Sequence, residues 1–118
     1  MFTFSIFRLI FLNRLLEEGN ALFRSNEYCQ ASQIYILALT HLSKSTSYKD
    51  HCEATRNLKN SLILNLSRSE RRQGNFIEAA KVVTEIIEEE NNNIEALVTR
   101  AKAEMEMGFY EIFILLND

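Results

Sequence analysis

The chain lacks proline and tryptophan, and its 118 residues include only three glycines and two cysteines. Proline and glycine are the residues that most often interrupt regular structure, so their scarcity predicts a nearly all-helical protein. Two thiols do not make the disulfide framework of a small secreted protein, which favours a reducing compartment, and we expect the cytosol. Because 47% of the residues are hydrophobic and 25% are charged, the composition indicates one ordinary folded domain and not a disordered chain.

The chain also lacks an excess of positive charge and a long apolar run. Its net charge is −3, which argues against a nucleic-acid or membrane-surface binder, because such proteins need a basic face. Residues 1–12 are mostly apolar, but Arg8 interrupts them and Asn13 and Arg14 follow, well short of the roughly 20 residues that span a bilayer. We therefore interpret residues 1–12 as an apolar N-terminal extension of the first helix, and not as a targeting segment.

Two short segments of the chain repeat with a fixed spacing. Gln73-Gly74-Asn75-Phe76 and Met107-Gly108-Phe109-Tyr110 each place a glycine shortly before an aromatic residue, and the two glycines lie 34 residues apart. A similar segment, Ser25-Asn26-Glu27-Tyr28, lies upstream at a distance of one period plus about 14 residues. A period of 34 residues is typical of a helix-turn-helix repeat.

Residue size around these turns alternates as closely packed helices require. Before the first turn Gly19 lies between two leucines, and after it Tyr35 lies between Ala31 and Ala38. We expect the glycine to let the next helix approach closely. In the third copy Phe113 stands where an alanine is expected, so the third repeat is degenerate or truncated.

Residues typical of helix boundaries agree with this placement. Gly74 and Gly108 are predicted to end helices in the left-handed conformation. Asn75 and Asn92, each followed three residues later by a glutamate, are predicted to form capping boxes. The predicted helices are 13–25, 27–44, 49–73, 76–90, 94–107 and 110–116. Within a domain of residues 13–118 they form repeats at about 12–43, 60–93 and 94–118, with an insertion at about 44–59 that we expect to form a loop and a helix extension.

Residues Asn13 to about Phe109 resemble a tetratricopeptide-repeat (TPR) domain. The segment Leu62–Arg68, which follows the insertion and precedes Arg71, is similar to the repeats of the TANC and rolling pebbles scaffold proteins. The resemblance implies an all-α, right-handed superhelix of about three helix-turn-helix repeats, whose first helices line a concave groove. It also implies a non-enzymatic adaptor or scaffold that binds a peptide or helix of a partner protein.

The concave positions of such a groove carry polar, basic and acidic residues. We expect the groove to be basic in its middle and acidic at one end, and its partner to be partly acidic. The alternative is that these charges form only a solvated surface. The predicted groove residues are Asn13, Leu16, Asn20, Phe23, Arg24, Ser61, Asn65, Arg68, Arg72, Glu95, Thr99 and Lys102.

Some TPR domains bind the acidic C-terminal tails of heat-shock chaperones through two asparagines and three basic residues. By repeat position the asparagines match Asn20 and Asn65, whereas the basic positions fall on Leu16, Glu95 and Thr99. None of these three residues can offer a cation to a carboxylate. Binding of chaperone tails is therefore disfavoured.

Residue types that carry chemistry elsewhere are scattered in this chain. Cys29, His41, His51 and Cys52 lack the spacing that places two metal ligands on one turn. Neither a nucleophile elbow nor a glycine-rich phosphate loop is present, and the acidic run near residue 88 lacks the apolar surroundings of a catalytic carboxylate pair. We therefore predict no enzyme, no metal site and no cofactor.

Both ends of the chain are apolar, although the terminal repeats of a repeat domain need polar outer faces. Aromatic and aliphatic residues dominate residues 2–7 and 109–116. Apolar surfaces of this kind mark an interface or an aggregation hazard. The ends could pair with each other or with a partner, or the chain could be a piece of a larger protein. The alternative function is accordingly a self-associating structural element.

Overall fold

The computed structural model describes residues 2–44 and 53–117, and this part of the chain is all-α. Residues 45–52 of the expected insertion, including His51 and Cys52, lie outside the described residues. Consecutive helices pack against each other, and α3 also contacts α1 and α5. The helices are α1 (Phe2–Arg24), α2 (Tyr28–Lys44), α3 (Glu53–Arg72), α4 (Phe76–Glu89) and α5 (Ile94–Leu116).

Two apolar clusters hold the helices together. The first joins α1, α2 and α3 around Leu12, Tyr35 and Leu62. The second joins α3, α4 and α5 and includes Val83 and Ile86. The described helices thus form two complete helix pairs followed by one further helix, which agrees with a truncated third repeat.

Gly19 marks the closest approach of α1 and α2. A Cβ atom at this position would collide with the ring of Tyr35, which is 1% exposed. Glycine inside a helix costs about 1 kcal/mol relative to alanine. The close helix contact explains why glycine is nevertheless found here, and the predicted role of Gly19 is confirmed.

The first two predicted turns are confirmed. Asn26 and Gly74 both adopt the left-handed conformation, with φ of 63° and 84°. Gly74 is followed by Asn75, whose backbone N–H donates to the carbonyl oxygen of Glu70 (2.9 Å) and whose Nδ2 donates to the Glu70 carboxylate (2.7 Å). These bonds fold the chain back after α3.

The predicted turn and helix end at Gly108 are wrong, because α5 continues through this residue to Leu116. Gly108 does not have a positive φ, and an isolated glycine in a helix costs only about 1 kcal/mol. The next residue is Phe109, which cannot make the side-chain bond that Asn75 makes after Gly74. The helix is therefore not stopped at this point.

The predicted capping boxes are also wrong. Asn75 precedes α4 without a side-chain capping bond: its Nδ2 donates to Glu70, and its backbone (φ −88°, ψ 68°) lies outside the extended conformation of an N-cap residue. Helix α5 is capped one residue later than predicted, by Asn93 in place of Asn92: the Asn93 side chain accepts a bond from the N–H of Ala96 (3.0 Å).

Replacing each of the two glycines by alanine is expected to change stability in opposite directions. Gly74→Ala should lower the free energy of unfolding by about 1 kcal/mol, because alanine is strained at a positive φ. Gly108→Ala should raise it by about 0.5 to 1 kcal/mol, because a Cβ there meets no atom within 4 Å and alanine favours the helix. Urea unfolding of both variants measures the difference. Destabilisation by Gly108→Ala would indicate that the chain turns at this residue after all.

The apolar residues that precede Asn13 belong to α1. Leu12 is buried in the first cluster. Arg8, which interrupts the apolar run, donates from Nη2 to the carbonyl oxygen of His41 (2.8 Å) and so ties α1 to the end of α2. Among the described residues, no helix combines the length and the apolarity needed to cross a bilayer.

Candidate functional site

A pair of asparagines joins α1 to α3 at the centre of the predicted groove. Asn65 Nδ2 donates to Asn20 Oδ1 (2.8 Å), which also accepts a bond from the Tyr35 hydroxyl (2.6 Å). Arg68 Nη1 in turn donates to Asn65 Oδ1 (3.0 Å). The two side-chain oxygens are therefore occupied within the protein.

A cavity of about 210 Å³ lies beside this asparagine pair. It contains two guanidinium groups, and none of the described residues that line it is a carboxylate. The ring of Phe23 adds an apolar wall. The cavity, called the first cavity below, is lined by Asn20, Phe23, Arg24, Tyr35, Asn65 and Arg68.

The pKa of Tyr35 reflects the positive charge around the first cavity. Burial raises the pKa of its hydroxyl to about 12, while the positive charges of Arg24 and Arg68 act in the opposite direction. The hydroxyl therefore remains a neutral donor to Asn20 at physiological pH. The field of both arginines reaches the floor of the cavity.

A second cavity of about 210 Å³ lies between α3 and α5. Arg68 borders both cavities, and its Nη2 donates to Glu95 Oε1 (2.6 Å). Arg71 Nη1 donates to Glu106 Oε1 (2.6 Å). Two cations at this end of the groove are therefore paired with carboxylates. The second cavity is lined by Arg68, Arg71, Glu95, Val98, Thr99 and Lys102.

Comparison with known proteins supports one fold. No profile of a known protein family matches the chain. The chain is similar in structure to the C-terminal TPR-containing domain of a candidate FK506-binding protein from Plasmodium falciparum, with a TM-score of 0.76 and 25% sequence identity over 88% of this chain and 70% of that chain. The chain folds as a tetratricopeptide-repeat domain.

The expected fold class is therefore confirmed: five helices pack in sequence as in a TPR domain. TPR domains in general are protein–protein interaction modules and usually not catalytic. The narrower similarity to the TANC and rolling pebbles scaffolds receives no support from the comparison.

Arg72, a predicted groove residue on α3, joins the two helix pairs. Its guanidinium carbon lies 5.5 Å from the ring centroid of Phe23 and 5.4 Å from that of Tyr28. Its Nη1 also donates to the Tyr28 hydroxyl (2.8 Å). Cation–π stacking of this kind holds the side chain against α1 and α2.

Four of the predicted groove residues either lie outside the two cavities or are buried. Asn13 is exposed and bonds the carbonyl oxygen of Leu9 in its own helix. Leu16 packs partly buried against the first cluster, and Ser61 is half-buried outside both cavities. Thr99 touches the second cavity, but it is buried and its hydroxyl donates to the carbonyl oxygen of Glu95.

Three residues of the two cavities were not predicted. Arg71 lies three positions after Arg68 and so shares a helix face with it, a spacing that could have identified it. Tyr35 was expected at a close helix contact, but a buried tyrosine hydroxyl usually finds a partner, and this hydroxyl donates to Asn20 at the first cavity. No feature of the sequence indicated that Val98 would line a cavity.

A larger cavity of about 460 Å³ lies outside the groove, where α5 runs past the start of α4. It is open to solvent and carries Glu78 and Glu111, and no basic residue is among its described lining residues. None of the predicted groove residues lines this cavity. Within residues 2–44 and 53–117 no group of three or more metal-ligating side chains occurs.

Proposed function

We propose that this TPR domain is a protein–protein interaction module that holds a peptide or helix across α1, α3 and α5, with an acidic group of the partner in the first cavity. The observation that carries the proposal is the composition of this cavity. Arg24 and Arg68 border it, the described lining contains no carboxylate, and Arg24 has no ion-pair partner among the described residues.

An amphipathic helix suits this surface well. The Phe23 ring offers an apolar contact beside the two arginines, so a helix with apolar anchors three and four residues apart can place one face there and its acidic side chains near the cations. Partly exposed charges of this kind mainly accelerate the encounter of the two proteins. We also propose a cytoplasmic location, because a reducing compartment keeps an exposed thiol such as that of Cys29 reduced.

Chaperone tails remain poor candidates for the partner. Asn20 and Asn65 do lie together, but the three other positions offer no cation. Leu16 is apolar, Glu95 is anionic and paired with Arg68, and Thr99 is buried. An acidic chaperone C-terminal peptide should show no saturable binding at about 100 μM.

Binding of two designed helical peptides tests the proposal. Both peptides have the same leucine anchors, but one carries glutamates and the other carries lysines beside these anchors. Fluorescence anisotropy measures the affinity of each peptide. We expect the acidic peptide to bind more tightly and Arg68→Glu to weaken it about tenfold or more, which corresponds to about 1.4 kcal/mol. Association of the acidic peptide should slow as salt concentration rises.

Arg56→Glu is the matched control, because Arg56 is exposed on the same helix and the change in net charge is identical. Arg24→Glu tests the same cavity without breaking an ion pair. Equal binding of the two peptides, or equal losses in Arg68→Glu and Arg56→Glu, would overturn the proposal and leave the charges as a solvated surface.

A self-associating structural element is the second candidate function. Exposed apolar side chains at the start of α1 and along the end of α5 favour it, since Phe7 is 65% exposed and Leu116 is 81% exposed. Apolar surface of this extent normally contacts another molecule.

A further inference from the structure

Helix α5 carries an apolar stripe along its whole length. Its members recur at alternating intervals of four and three residues, which is the heptad spacing of a coiled coil, and they span three heptads. The stripe consists of Ile94, Val98, Ala101, Met105, Gly108, Ile112 and Leu115.

This stripe faces away from the body of the domain. Ala96 and Ala103 turn the opposite side of α5 inward and are fully buried. In contrast, Ile94 is 68% exposed, Met105 is 56% exposed and Leu115 is 75% exposed. No other described helix covers the stripe.

A straight helix of comparable length can cover the whole stripe, because the stripe runs without a break along α5. The internal residues outside the description, 45–52, number eight and are too few to form such a helix. The α5 helix of a second copy has the required length and the same heptad spacing. We propose that the α5 helices of two copies pair along this stripe as a two-stranded coiled coil.

Charged residues on the flanks of the stripe indicate a parallel pair. Glu104 and Glu111 lie on one flank, and Lys102 and Phe109 lie on the other. In an antiparallel pair each flank of one helix contacts the same flank of the other helix. This arrangement would bring Glu104 opposite a glutamate of the second copy. In a parallel pair opposite flanks meet, and Glu104 lies beside the Phe109 position of the second copy, so like charges are kept apart.

Pairing through α5 also gives Gly108 a role. Ala101 and Gly108 are small residues on the stripe, and a Cβ at Gly108 meets no atom within the described chain. Small residues at a helix contact let two backbones approach closely, and alanine, which already stands at 101 on the stripe, meets the same requirement, so Gly108→Ala should leave the pair intact. The first cavity is lined from α1, α2 and α3 alone, so the pair leaves it open, whereas Val98 belongs both to the stripe and to the lining of the second cavity.

Sedimentation equilibrium of the full chain tests the pairing. The wild-type protein should be a dimer, and Met105→Glu should raise the dimer dissociation constant by about a hundredfold or more, because it places a charge in the apolar seam. Met105 is exposed, so this variant should keep the circular dichroism spectrum of the wild type. Phe113→Glu is the matched control: Phe113 is 62% exposed on the same helix but lies off the stripe, and its variant should remain dimeric.

Disulfide formation tests the orientation, with the two native cysteines replaced by serine. Ile112→Cys should form a covalent dimer readily, because a parallel pair places this position opposite itself. A monomeric wild type at about 100 μM, or equal dissociation by Met105→Glu and Phe113→Glu, would overturn the proposal. Failure of Ile112→Cys to cross-link a protein that is dimeric would overturn the parallel arrangement. None of these outcomes depends on the peptide groove.

Discussion

Gly19→Ala is expected to lower the free energy of unfolding by about 2 to 3 kcal/mol, although the same change stabilises most helix interiors. The added methyl group would collide with the ring of Tyr35. This ring is held within the first cluster by neighbours on three helices, and its hydroxyl is bonded to Asn20, so it cannot move aside cheaply. Urea unfolding monitored by circular dichroism measures the change.

A second substitution separates this collision from other causes. Tyr35→Leu alone should be destabilising, because it removes a large buried side chain. In the double variant Gly19→Ala/Tyr35→Leu the two losses should be clearly less than additive, because the added methyl group then has room. Strict additivity, or wild-type stability of Gly19→Ala, would contradict the helix contact described above.

Alkaline pH is expected to weaken the fold through Tyr35. The pKa of its hydroxyl is about 12 in the folded protein against 10 in the unfolded chain, so the fold prefers the protonated form. This contribution is complete below pH 10 and is lost as the pH rises through 12. The loss should be on the order of 2 kcal/mol for this residue.

Tyr35→Phe isolates this contribution from the titration of the other tyrosines and the lysines. The difference in unfolding free energy between the wild type and Tyr35→Phe should be constant from pH 7 to about pH 10 and should shift in favour of the variant above it. Parallel pH profiles of the two proteins up to pH 12 would show that the Tyr35 hydroxyl ionises equally in the folded and unfolded states.

Those features of the fold that depend on local spacing could be predicted from the sequence. The similarity of the segments at residues 25–28 and 73–76 located the turns at Asn26 and Gly74, and residue size predicted the close helix approach at Gly19. The residue at which a helix ends was harder to predict, because it depends on hydrogen bonds with residues outside the repeating pattern. At Gly74 the chain turns with the help of the Glu70–Asn75 bonds. After Gly108 such a bond is missing.

The central residues of the candidate groove could also be predicted from the sequence. Repeat position brought Asn20 and Asn65 to the same place, and the structure joins them by a hydrogen bond. Side-chain contacts between helices could not be predicted from the sequence, because they depend on how each helix is rotated about its axis. The bond of Arg71 to Glu106 and the burial of Thr99 are of this kind.

Arg68 borders both cavities, and this has a consequence for how the groove is filled. Its two terminal nitrogens already bond Asn65 and Glu95, so an anion in the first cavity competes with Glu95 for the same guanidinium. An anion that drew Arg68 away from Glu95 would leave an unpaired carboxylate at the second cavity, and this cavity would then attract anions less. Linkage makes this effect reciprocal. Under the proposed function the two cavities would be negatively coupled, and a partner that places one acidic group there would be favoured over a partner that places two.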